Sequence, residues 1–162
     1  MTKGERISRF VAELEGAPPE AEAVDVAQHP CYRGFFRCWN EGRYYEAHDV
    51  LEHLWLGTKT ADANYFKGLI QAAGGFVHLQ KHFEFPTHPK HSRRLGPAVR
   101  LFALAEANLE PFGAVRHSFD VAGLRALIAR TACEIVDSEF TRNPWQPETA
   151  PQLRLAGASE SD

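Results

Sequence analysis

Tyr44-Tyr-Glu-Ala-His-Asp-Val-Leu-Glu-His-Leu-Trp55 is the stretch that decides the fold. Tyr44, Ala47, His48, Leu51, Leu54 and Trp55 recur at spacings of three and four, which lines one face of an α-helix and fits no strand. Gly57-Thr58 closes that helix after Leu56. Glu46, Asp49 and His53 fall on the opposite side, and Glu52 sits on the margin of the stripe, one turn beyond His48.

The same period extends in both directions. Upstream, Pro30 is a good first-turn residue, and Phe35, Phe36 and Trp39 give a helix that ends before Gly42. A weaker helix is expected over Glu5–Glu15, stopped by Pro18-Pro19. Downstream, residues 61–83 form the longest periodic segment, with Tyr65, Leu69, Ala72, Ala73, Phe76 and Phe83 inward. Gly74-Gly75 inside it costs about 1–2 kcal/mol of helix propensity, tolerable if the pair admits a close neighbour or a bend. Residues 84–91 read as a loop because of Pro86 and Pro89. Two further helices are expected, over 92–109 and 120–140, before Asn143-Pro-Trp-Gln-Pro. No segment alternates with period two. The expectation is a compact all-α bundle of five to six helices, a single domain over 1–145 with a flexible tail over 146–162.

Composition narrows the function classes. A chain of 162 residues with 44% hydrophobic content can bury a substantial core. A formal net charge of -3 gives no general affinity for nucleic acid or anionic lipid. Three cysteines, Cys31, Cys38 and Cys133, form no Cys-x-x-Cys element, and the odd number suits a reducing compartment. No stretch is long and apolar enough for a membrane span, and no secretory signal opens the chain, so the cytoplasm is the expected location. Phosphate loops, zinc-finger spacings and dinucleotide fingerprints are missing, and no motif names a reaction.

Polar residues on the inward faces carry whatever chemistry is legible. His48 and Glu52 stack along one helix edge. In Leu69-Ile-Gln-Ala-Ala-Gly-Gly-Phe-Val-His-Leu-Gln-Lys-His82, Gln71 and His78 share a face two turns apart. A short connection favours antiparallel packing of the two helices, which would bring Gln71 and His78 to His48 and Glu52. A buried histidine needs partners for both ring nitrogens, so the leading expectation is a sealed His-Glu-Gln-His network in a structural or interaction protein. The alternative is a metal-dependent hydrolase or ligand-binding protein with His48, Glu52 and His78 as ligands of Zn²⁺, Mn²⁺ or Fe²⁺. Tyr44, Glu46, Asp49, Trp55 and Gln71 complete the candidate ligand-binding set. The metalloprotease pattern His-Glu-x-x-His is not present, because His53 follows His48 at five and points outward.

Lys81, His82, His88, Lys90, His91, Arg93 and Arg94 crowd the next elbow. That segment supports a third reading, a phosphate or RNA binder over 81–94, although no aromatic platform of a known RNA module accompanies it. The expected partners are another protein or a second copy of the chain, with nucleic acid the less favoured partner and no membrane.

From Trp39 to about His82 the chain resembles the domain of unknown function 309 family. The resemblance rests on Asn40-Glu-Gly-Arg-Tyr-Tyr-Glu-Ala-His-Asp-Val-Leu-Glu-His-Leu-Trp55, then Gly68-Leu-Ile-Gln71 and His78. Asp49 stands where the family commonly has glutamate, and Lys81-His82-Phe83 replaces its usual Arg-Gly-Asn turn. The resemblance implies a helical bundle and places the family's polar signature on Glu46, His48, Asp49, Glu52, Gln71 and His78. It implies no activity.

Overall fold

Asn40 and Gly42 show why the bundle turns where it does. The first helix, α1, spans Pro30–Asn40, opened by Pro30 and by the His29 ring, whose Nδ1 accepts from the Cys31 amide at 3.0 Å. At its end Arg43 N donates to Cys38 O and Gly42 N to Trp39 O, a Schellman turn that needs the left-handed residue Gly42 supplies at φ 73°. Helix α2, Tyr44–Leu56, starts at once. The computed structural model describes residues 25–157, so the helix expected over Glu5–Glu15 lies outside the described residues.

Helix α3, Asp62–Glu84, is the axis of the bundle, packed against α2 on one side and α4, Leu95–Leu109, on the other. Helix α5, Val121–Asp137, packs on α4. The expected helical bundle is therefore what forms. Its centre is aromatic: Trp39, Tyr44, Phe76 and Phe102 are all buried, with Phe76 edge-on to Trp39 at 4.9 Å and to Phe102 at 5.2 Å. Among the described residues no helix is long and apolar enough to cross a membrane.

Three expectations are corrected. Helix α4 begins at Leu95 rather than 92, because residues 91–93 form a short 3-10 turn. A two-stranded hairpin, β1 Val115–Arg116 with β2 Phe119–Asp120, precedes α5. Its turn residues His117 and Ser118 sit at φ 46° and 63°, a conformation usually signalled by Asn-Gly, which is why the sequence showed no hairpin. Finally, the tail expected from residue 146 lies on the core as far as Leu155. Asn40 exchanges two 2.7 Å hydrogen bonds with the Leu153 backbone, and Trp39 Nε1 donates to Pro151 O.

Candidate metal centre

Helix α2 is rotated relative to its apparent stripe. Its buried residues are Tyr44, Ala47, Val50 and Leu51, so the aliphatic Val50 takes the inward arc that the spacing rule gave to an imidazole. At about 100° per residue this turns His48 and Glu52 to one flank and Asp49 beyond them. The His48 side chain is 34% exposed, Asp49 19% and Glu52 39%. The sealed network is not formed at His48.

What forms instead is a three-residue surface cluster. His48 Nδ1 lies 2.8 Å from Asp49 Oδ1 and 3.6 Å from Glu52 Oε2. Among the described residues this is the one group of three or more His, Cys, Asp or Glu whose donor atoms all lie within 4.8 Å of one another. Donors held by one Zn²⁺-sized ion at about 2.0–2.2 Å stand about 3–3.5 Å apart, so small side-chain rotations would suffice to close the set. One imidazole and two carboxylates on a single helix edge leave the other side of an ion open to solvent.

Gln71 and His78 belong elsewhere. Gln71 Oε1 accepts from Asn108 Nδ2 of α4 at 2.7 Å. His78 Nδ1 lies 2.9 Å from Arg94 Nη1, and since guanidinium only donates, this ring nitrogen is the acceptor. Burial, then the charges of Arg94, Lys81 and Arg100, push the His78 imidazole down to about 4. Both residues face α4 and the elbow before it, so of the expected set His48, Glu52 and His78 the structure brings together His48 and Glu52, with Asp49 beside them in place of His78. Tyr44 is a core residue whose hydroxyl accepts from Trp145 Nε1, and Trp55 packs partly buried against the core. Glu46 is half-buried, near enough for its charge to act on Arg43 and Cys38. Cys38 is a buried thiol that burial pushes up to about 11, which makes it a packing residue rather than a ligand.

A second polar cluster escaped sequence reading altogether. Asp62, in the first turn of α3, takes hydrogen bonds from Arg116 Nε at 2.7 Å and His117 Nε2 at 2.9 Å. Beneath them the buried Tyr32 and Tyr65 hydroxyls are 2.7 Å apart, so one donates to the other and leaves the second free to donate to a hairpin carbonyl, His117 O at 3.1 Å from Tyr32 or Arg116 O at 3.3 Å from Tyr65. Burial holds both phenols well above their ordinary range. Asp62 and His117 lie 55 positions apart, a separation that no local spacing rule reaches.

Residues 32–83 match the family model described as Domain of unknown function (DUF309). Over that segment, about a third of the chain, the sequence is similar to this family. No curated protein and no solved structure matched the chain. The match takes in most of α1, all of α2 and all but the last residue of α3, the elements that build and carry the cluster. Within the DUF309 motif, Asn40 fastens the C-terminal segment, Gly42 makes the turn, and Tyr44 and Ala47 fill the core. His48, Asp49 and Glu52 do none of this.

Proposed function

We propose that the chain binds a divalent cation through His48, Asp49 and Glu52, and that the ion's open side takes water and a small ligand. The observation that carries this reading is the half-exposed His48 imidazole with two carboxylates of its own helix at 2.8 and 3.6 Å. Nitrogen and oxygen donors of this kind suit Zn²⁺, Mn²⁺ or Fe²⁺. A cation there neutralises two adjacent carboxylates and takes the His48 Nδ1 lone pair, with the ring's proton carried on Nε2. Water polarised by such an ion is the nucleophile of metal-assisted hydrolysis, which makes hydrolysis the reaction class to screen. A purely structural role fits less well, because none of the three side chains is sealed in the core.

Elemental analysis of untagged protein purified without chelator tests the reading. Near-stoichiometric metal is expected in wild type and in His78→Ala. Loss is expected in His48→Ala and Asp49→Asn, with circular dichroism showing both variants folded. Calorimetric titration with Zn²⁺ should give saturable binding of about one ion per chain in wild type and none in His48→Ala. Wild type that stays empty after Zn²⁺ and Mn²⁺ are offered and the excess removed would end the proposal. Loss of metal in His78→Ala alone would restore the triad expected from sequence.

A further inference from the structure

Helix α5 buries one face and leaves the opposite one bare. Val121, Leu124, Ile128, Thr131 and Ile135 are its buried residues. At about 100° per residue, Ala122, Ala126, Ala129, Cys133 and Val136 fall on the far side, and all five are exposed. Their spacings of four, three, four and three are those of a seam between two helices. Phe140 continues the count just past the helix end. Val136 and Phe140 are large apolar side chains left nearly half exposed, at 47% and 48%, so nothing among the described residues covers this face.

The charges on α5 add an independent feature. Its cations, Arg125 and Arg130, precede its acids, Glu134 and Asp137, and its last turn holds no basic residue. Acids near a helix C-terminus meet the negative end of the dipole, so this order works against the helix that carries it. Compensation within the chain is partial. Arg125 pairs with Glu106 of α4 at 3.0 Å. Arg130 and Glu134 form no ion pair among the described residues, and Asp137 meets the Cys133 thiol at 3.5 Å rather than a cation.

We propose that a second copy of the chain covers this face, its α5 packed antiparallel to the first about a twofold axis beside Cys133. Residues equally far from Cys133 in opposite directions then meet. Small side chains face large ones: Ala126 stands opposite Phe140 of the second copy, and Ala129 opposite Val136. The same axis brings Arg130 level with Asp137 of the second copy, and symmetry repeats the pair. Each copy thus supplies the cation that the other's helix end lacks, and the two dipoles oppose each other. A parallel arrangement sets Arg130 beside Arg130 and Asp137 beside Asp137, so charge rejects it. A face complementary to itself about one point is the mark of an isologous contact, which an unrelated partner has no reason to match. Helix α5 packs mainly on α4, two helices away from α2, so the dimer leaves the His48 cluster open and does not depend on metal binding.

Sedimentation equilibrium on the full chain, with EDTA present, tests the proposal. A contact along one helix of 17 residues, about 25 Å long, belongs with small interfaces of less than about 1,200 Å² in total. A monomer–dimer equilibrium with a dissociation constant of about 10–100 µM is therefore expected. Ala129→Glu, in the seam, should weaken association by at least about thirtyfold, while Leu56→Glu, at an exposed apolar position of α2, should change it by less than about twofold. Arg130→Glu and Asp137→Arg should each weaken it about five- to tenfold, and the double variant should return to within about threefold of wild type. All these positions are exposed, and circular dichroism should show every variant folded. Recovery in the double variant is a result that a merely destabilised helix does not give. Wild type that stays monomeric up to about 1 mM would overturn the proposal. So would Ala129→Glu that dimerises like wild type, a double charge reversal no better than its two parents, or a loss in Leu56→Glu as large as that in Ala129→Glu.

Discussion

Asp62 shows how one side chain couples a helix start to a distant turn. Burial alone would raise its pKa, but the hydrogen bonds from His117 and Arg116 and their charges hold it below the ordinary carboxylate value of 3.8. A lowered folded pKa means that the ionised form stabilises the fold. That contribution is complete above 3.8 and is lost as pH falls through the still lower folded value. Asp62→Asn should therefore cost about 1–2 kcal/mol near neutral pH in urea unfolding. The gap to wild type should narrow only below the ordinary carboxylate range, where the native carboxyl also becomes neutral. A gap that is absent at pH 7, or one that persists undiminished in strong acid, would remove this account. At this scale the sequence was partly legible. The spacing of four made His48 and Glu52 neighbours whatever the helix packed against. It could not say that Asp49 would swing to the same imidazole, because Val50 set the rotation of α2. It could not assign His78 either, since a period tells which residues share a face but not which neighbour covers that face.

The two glycines in the middle of α3 make a test at the scale of elements. A β-carbon on Gly75 would overlap the Phe102 ring of α4, an aromatic locked between helices. One on Gly74 would come 3.0 Å from Leu101 Cδ1, the movable end of a half-buried side chain. Both changes gain about 1 kcal/mol of helix propensity. Gly75→Ala should nonetheless destabilise by about 1–3 kcal/mol through overpacking, while Gly74→Ala should be close to neutral or slightly stabilising. Equal midpoints for the two variants in thermal melts would show that α3 and α4 do not pack through Gly75. The glycine pair was legible as a place for close approach, though what approaches is a ring and not a backbone. Helix starts were legible where proline or a turn glycine marked them, as at Pro30 and Gly42. They were misread where a 3-10 turn intervened before Leu95. The hairpin was invisible for a chemical reason: His117-Ser118 adopts left-handed backbone that its side chains do not advertise.

For the whole molecule, the question is what joins the DUF309 helices to the rest of the chain. Asn143 Nδ2 donates to Leu79 O, Trp145 Nε1 to Tyr44 OH, and Trp39 Nε1 to Pro151 O. Asn40 then pairs in both directions with Leu153, a residue that is itself buried. Polar and proline-rich, this segment reads as a loose end because its own hydrophobic content is low. Its anchors are supplied by α1, more than a hundred residues earlier, which a local reading cannot weigh. Removing residues 150–162 should leave the Trp39 indole unsatisfied and wetter. The expected results are a red shift in tryptophan emission and a lower urea midpoint. Asn40→Ala, which removes two hydrogen bonds and leaves the rest of the segment in place, should cost about 1–3 kcal/mol. If the truncated chain kept both its emission maximum and its midpoint, residues 150–157 would be an ornament on a bundle complete without them. If both variants lose stability with coincident fluorescence and circular-dichroism transitions, the C-terminal segment and the DUF309 helices unfold as one cooperative unit. The motif's asparagine is then a fastener for the fold, and the surface left over for function on α2 is His48, Asp49 and Glu52.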